Sequence, residues 1–207
     1  MDSHRAISFA VTLLSACLSV ACVSVPAGTS LERAQPAPVS LQRGAWLAPA
    51  VIADPSAKEA AEIQRGLTLA IASYASDAKY FSRVNTLPGN PRPDEVILHF
   101  RFDQYQLRRT PHPAYFPAAI LTLTLYIWFG GPIGRDEASL AGELVVEDPT
   151  GHELTRASDT FHDRHDVSFY SPDYFLPSAI QSRTHLVRSL LDKAVTELAR
   201  APANTTQ

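Results

Sequence analysis

Across residues 95–108, the apolar Val96, Leu98, Phe100 and Phe102 alternate with His99, Arg101 and Asp103. A period of two places one set on each face of an extended chain, so this run reads as a strand with one face in a core and the other in water. A half-buried strand needs neighbours and a layer to cover its apolar face. The neighbours are close in sequence. Residues 139–147 and 153–161 flank Asp148-Pro149-Thr150-Gly151, a hairpin signal. Residues 80–87 read as a short strand, followed by the turn-forcing Pro88-Gly89-Asn90-Pro91-Arg92-Pro93. Trp46, Leu47, Val51 and Ile52 suggest another, which Pro49 confines to an edge or interrupts.

The covering layer is equally legible. Asp54-Pro55 opens a helix, with the Asp oxygen available as N-cap and Pro at the first helical position, where a missing N–H is harmless. Ala60, Ile63, Leu67, Ala70, Ile71 and Tyr74 then recur at steps of three and four, which predicts an amphipathic helix over 55–78. Gly66 inside it either admits close packing or weakens the helix. Ser178 and Gln181 have capping-box spacing and open a second helix. Its stripe is Ile180, Val187, Leu190, Leu191, Ala194, Val195 and Leu198, and it ends near Arg200. The expected fold is α+β, a two-layer sandwich of an antiparallel sheet and two amphipathic helices.

The start of the chain carries an address. Met1-Asp2-Ser3-His4-Arg5 precedes a short apolar segment and the small-residue exit Leu14-Ser15-Ala16-Cys17, the plan of a secretory signal and too short to cross a bilayer as a mature helix. Leu, two small residues and Cys resemble the lipobox of bacterial lipoproteins. That resemblance implies diacylation of Cys17 and cleavage before it, with Cys22 after Ser19-Val20-Ala21 as the alternative anchor. Two cysteines, one of them the anchor, leave no disulfide framework. Residues 1–16 are thus read as signal peptide and 17–43 as a lipidated tether, because Pro26, Gly28, Pro36 and Pro38 lie among small polar residues without apolar periodicity. Residues 44–200 are read as the α+β periplasmic domain and 201–207 as a disordered tail. Hydrophobic residues at 45% supply a core, while a net charge of −3 gives no basic footprint for nucleic acid.

Residues 115–134 stand out, because no Asp, Glu, Lys or Arg occurs between Arg109 and Arg135. Three readings compete. Alternation of Leu121, Leu123, Leu125 and Ile127 with Thr122, Thr124 and Tyr126 favours a buried strand. A strand or short helix exposed as an apolar patch would instead touch lipid or a partner, with Tyr126, Trp128 and Phe129 as contact residues. A spanning helix is disfavoured by Pro117 and the Gly130-Gly131-Pro132 breaker.

One cluster, His162-Asp163-Arg164-His165-Asp166, has the residue types for zinc binding or acid–base chemistry. It lacks a third ligand at metal spacing and the His-Glu-x-x-His pattern, so a hydrophilic loop after a strand explains the same letters. No Gly-x-Ser-x-Gly elbow and no phosphate-binding glycine loop is present.

The run Leu121-Thr122-Leu123-Thr124-Leu125, the turn Val146-Glu147-Asp148-Pro149-Thr150-Gly151 and the C-terminal helix resemble small envelope lipoproteins of Gram-negative bacteria. Auxiliary lipoproteins of transport systems and N-terminal domains of the TolB kind have the nearest shapes. The resemblance implies a lipid-anchored envelope protein with a non-enzymatic binding or accessory role in envelope assembly or transport. It carries over no catalytic residue, cofactor or metal. Leu18 or Val23 after the cysteine, neither being Asp, looks like an outer-membrane address facing the periplasm, with the inner membrane as the alternative. The expected partners are the membrane, through the anchor, and an envelope protein or lipid. The competing function is a metal-dependent or hydrolytic periplasmic enzyme using His162, His165 and Asp166.

Overall fold

The computed structural model describes residues 23–53, 60–86, 90–122, 125–172 and 179–200. Cys17, Cys22, Asp54-Pro55, Leu123 and Ser178, on which several expectations fall, lie outside the described residues. The elements are β1 (Val23–Pro26), β2 (Leu41–Leu47), β3 (Val51–Ile52), α1 (Ala60–Asp77), β4 (Phe81–Asn85) and β5 (Glu95–Pro111). They continue with α2 (Tyr115–Leu121), α3 (Leu125–Trp128), β6 (Pro132–Glu147), β7 (Glu153–Ser168) and α4 (Ile180–Arg200).

One sheet has the order β4-β2-β5-β6-β7, with β1 and β3 also pairing β5. The fold is α+β, as expected, but the sheet is mixed and not purely antiparallel. β2 runs parallel to both β4 and β5, and β3 runs parallel to β5. The reason is connectivity: α1 lies between β2 and β4, and a crossover through a helix returns the chain in its original direction. Pro49 interrupts the first strand region, so β2 ends at Leu47 and β3 resumes at Val51. From β5 onward the sheet is an antiparallel meander. His112 N donates to Ile133 O while His99 lies 3.2 Å from Glu147, so the two strands run in opposite senses. Glu137 pairs with Arg164 and Glu143 with Arg156 in the same reversed manner across β6 and β7.

Two compact units are distinguished. The first comprises the described parts of Met1–Val25, Arg108–Glu137 and Arg164–Pro177; the second comprises those of Pro26–Leu107, Ala138–Asp163 and Ser178–Gln207.

The second unit holds the main core. Val96, Leu98, Phe100 and Phe102 are buried as the period of two requires, and burial then resumes at Tyr105 and Leu107. β6 keeps an unbroken alternation, so the change of phase at Asp103-Gln104 belongs to β5 and has the form of one extra residue. Gly142 sits where β6 approaches β5 closely: a Cβ there would lie 2.9 Å from Arg101 O and 3.0 Å from the Phe102 ring. Leu67, Ile71, Tyr74 and Ala75 of α1 and Leu186, Val187, Leu190, Leu191, Ala194 and Val195 of α4 supply the covering layer. Helix α4 lies along β7 in the reverse direction, with Phe161 against His185, Lys193 donating to Ser158 O, and Thr155 bonded to Glu197.

Residues 23–43 differ from the tether that their composition suggests. β1 is a paired strand, and the segment after it is bound along the second unit. Arg183 donates to Ser30 O, Glu32 N donates to Thr184 Oγ1, and Ala37 N donates to Ala78 O. Tyr105 donates to Gly28 O at 2.5 Å. Gly66 is resolved in the same way: a Cβ there would stand 3.0 Å from Thr29 Cγ2, so the glycine admits the strap against α1. Prolines and small polar residues do not prevent docking when side chains of the domain supply the hydrogen bonds that such a strap cannot make internally.

Glu95, at the start of β5, has a buried carboxylate that accepts from Arg83, Asn85 and Arg92 N. Burial pushes this carboxyl up, but the hydrogen bonds outweigh it and hold it below the usual range. A folded-state pKa below the unfolded value stabilises the fold at neutral pH and ceases to do so as pH falls through the folded value. Glu95→Gln is therefore expected to lose about 1.5 kcal/mol at neutral pH. Urea unfolding should show this gap to the parent closing in acid; a gap of constant size would contradict the assignment.

Candidate functional site: an exposed apolar surface

The uncharged run folds as two short helices, which corrects the buried-strand reading. Pro117 lies in the first turn of α2, where an absent N–H is tolerated. Thr122 ends that helix, donating through Oγ1 to Ala118 O at 2.7 Å and accepting from Tyr126 N at 3.0 Å. At the other end Gly130 takes φ +79°, and Gly131 N donates back to Tyr126 O, a left-handed glycine stop for α3. The Tyr126 ring lies directly over Gly131, where a Cβ would collide with it, and its hydroxyl donates to Pro132 O. No helix among the described residues is long and apolar enough to cross a membrane.

Turning once per 3.6 residues, these helices leave much of their apolar surface in water. Leu121 is 83% exposed, Phe129 86%, Ile120 69% and Trp128 65%, with Leu125 and Phe116 also exposed. Phe169 and Tyr170, just past β7, extend the same unit's apolar surface. The Trp128 and Phe169 rings are 6.4 Å apart, Phe169 meets Tyr170 edge to face, and the Tyr170 hydroxyl donates to Trp128 O. Single exposed apolar residues are ordinary, but a contiguous group of aromatic and aliphatic side chains marks a contact surface. Of the three contact residues expected from sequence, Trp128 and Phe129 are fully on this surface. Tyr126 is half-buried and serves the turn.

The histidine cluster is not a loop but part of β7. Three residues apart on a strand means opposite faces. His162 lies 3.1 Å from Ser139 on one face, whereas His165 comes within 3.9 Å of Asp136 on the other. The third member, Asp166, is bound by Arg135 at 2.8 Å and lies 3.4 Å from His112. The Arg135 guanidinium holds its carboxyl below the usual carboxylate range. Among the described residues no group of three or more His, Cys, Asp or Glu side chains is placed to hold a metal ion. The expected trio His162, His165 and Asp166 does not converge.

Arginine pairing recurs in the first unit. Asp136 is fully buried and receives a bidentate pair from Arg109 at 2.6 and 2.7 Å, and Arg164 lies 3.3 Å from Glu137. Sequence reasoning missed the Arg109–Asp136 pair. Its signal is the acid at an inward position of an alternating strand, visible once β6 is extended back to Pro132.

No family model matches this chain. No curated protein matches it either. Among solved structures the likenesses are weak. A DUF330 protein of Xanthomonas campestris is 11% identical, with 84% of this chain and 89% of that one covered and a TM-score of 0.37. A putative lipoprotein of Caulobacter crescentus is 13% identical over 57% of this chain and 73% of that one, with a TM-score of 0.31. A minor lipoprotein of Acinetobacter baumannii is 14% identical over 76% and 90%, also with a TM-score of 0.31.

Proposed function

We propose that this protein is a lipid-anchored component of the bacterial cell envelope that acts by binding and not by catalysis. The exposed apolar surface of its first unit would be the binding surface. The observation that carries this reading is the exposure of Ile120, Leu121, Leu125 and Trp128 on two short helices, and of Phe129 in the turn that follows, in an uncharged stretch. Leaving such a surface in water is unfavourable at about 25 cal/mol per Å² of apolar area, so its retention points to an occupant. The lipobox-like Leu14-Ser15-Ala16-Cys17 supports a membrane address, and Leu18 or Val23 supports the outer membrane facing the periplasm. Against the enzymatic alternative stand the divergence of His162 and His165 and the arginine that holds Asp166.

Anchoring is tested by fractionating Cys17→Ser and Cys22→Ser chains separately. One variant, expected to be Cys17→Ser, should leave the membrane fraction while the other stays acylated. Two variants that both remain acylated would defeat the assignment of a unique anchor.

A further inference from the structure

We infer that the occupant of the exposed surface is the lipid bilayer itself: Ile120, Leu121, Leu125, Trp128 and Phe129 seat in the interface as a second membrane contact beside the acyl anchor. This inference rests on the lipoprotein reading above. Three observations favour lipid over a protein partner.

The first is reach. Cys22 directly precedes Val23, where β1 begins, and Cys17 lies only six residues earlier. At ~3.5 Å per extended residue, an acylated cysteine allows β1 to stand no more than roughly 20 Å from the headgroups. Residues 23–25 belong to the same compact unit as α2 and α3. Because the segment after β1 is bound to the protein and is not a free tether, no slack further along the chain relaxes this limit.

The second is side-chain chemistry. Residues 110–134 contain no Asp, Glu, Lys or Arg, so insertion to interfacial depth desolvates no permanently charged group of this stretch. Trp128 and Tyr170 are the amphipathic ring types that settle at headgroup level, with Phe129, Leu121 and Ile120 as the apolar complement. Helices of seven and four residues lie on a membrane and do not span it.

The third is charge. Among the described residues of this unit, each carboxylate is held by an arginine: Asp136 by Arg109, Glu137 by Arg164 and Asp166 by Arg135. Each is thereby compensated beside the phosphates of a bilayer.

The test uses the full, natively processed chain carrying Trp46→Phe, so that Trp128 is the remaining tryptophan. That background is mild, because Trp46 Nε1 has no hydrogen-bond partner among the described residues to lose. The protein is reconstituted in phosphatidylethanolamine–phosphatidylglycerol vesicles with and without acyl-chain-brominated lipid, and its mass reports acylation independently. Bromine should remove roughly half or more of the Trp128 emission, as expected for a ring at interfacial depth. Adding Phe129→Asp should restore most of it with acylation unchanged. An acylated chain whose Trp128 ignores bromolipid and is open to aqueous iodide overturns the inference and leaves the lipoprotein reading standing. Shielding from both quenchers also overturns it, in favour of a second copy or another protein. Quenching of a chain that carries no lipid supports the bilayer contact and removes the anchor.

Discussion

Arg109→Met is expected to destabilise the protein by about 3–5 kcal/mol, the usual range when one partner of a buried ion pair is removed. Asp136 is completely buried, and its two oxygens take hydrogen bonds from Arg109 Nε and Nη2. Without that arginine the carboxylate loses both of these bonds, and the His165 ring stands farther off at 3.9 Å. A buried carboxylate without its cation either remains charged at a large solvation penalty or takes up a proton. The double replacement Arg109→Met with Asp136→Leu removes both charges and should recover most of the loss. Urea unfolding of the parent, the single and the double variants decides the point. A single variant with the parent's midpoint would show that Asp136 does not depend on Arg109.

Arg183→Ala is the second large effect, expected at about 3 kcal/mol from the loss of charge-assisted bonds together with the packing of the arginine stem. Arg183 sits on α4, is 4% exposed, and donates through Nε and Nη2 to Ser30 O at 3.0 and 2.5 Å. Burial pulls its pKa down from the usual arginine value. The consequence is local as well as global. Residues 28–32 should lose amide protection against hydrogen exchange more than the strands do, since the two Arg183 bonds to Ser30 O are lost while those from Glu32 N to Thr184 and from Tyr105 to Gly28 O remain. Equal loss of protection throughout would mean that the strap and the domain open together.

How much of this was legible in the sequence depends on whether the signal was local. The strands around Phe100 and the hairpin at Asp148-Pro149-Thr150-Gly151 follow from a period of two and a turn, both readable within a few residues. The two helices followed from apolar steps of three and four. Three features were not local. Parallel pairing of β2 with β4 and β5 depends on which strands become neighbours, which periodicity does not report. Residues 27–40 bear little apolar material, and the groups that hold them are distant in sequence, Arg183 and Thr184 by more than 150 residues. The run around Leu121 and Leu125 is ambiguous in principle, because a short apolar stretch fits either period. Pro117, Thr122 and the Gly130 stop tipped it to helix.

Site legibility divides in the same way. Trp128 and Phe129 were singled out by the absence of charge around them, and the structure places both in solvent. The histidine cluster was misplaced because β7 continues to Ser168, beyond its apolar part. Once on a strand, His162 and His165 point apart by geometry alone.

The most direct test of the central claim is the mass of the mature protein extracted from bacterial membranes. A lipid-anchored envelope protein should begin at Cys17, or at Cys22, with that cysteine carrying diacylglyceryl mass. A mature chain that begins elsewhere, or that begins at either cysteine without added lipid, would contradict the account.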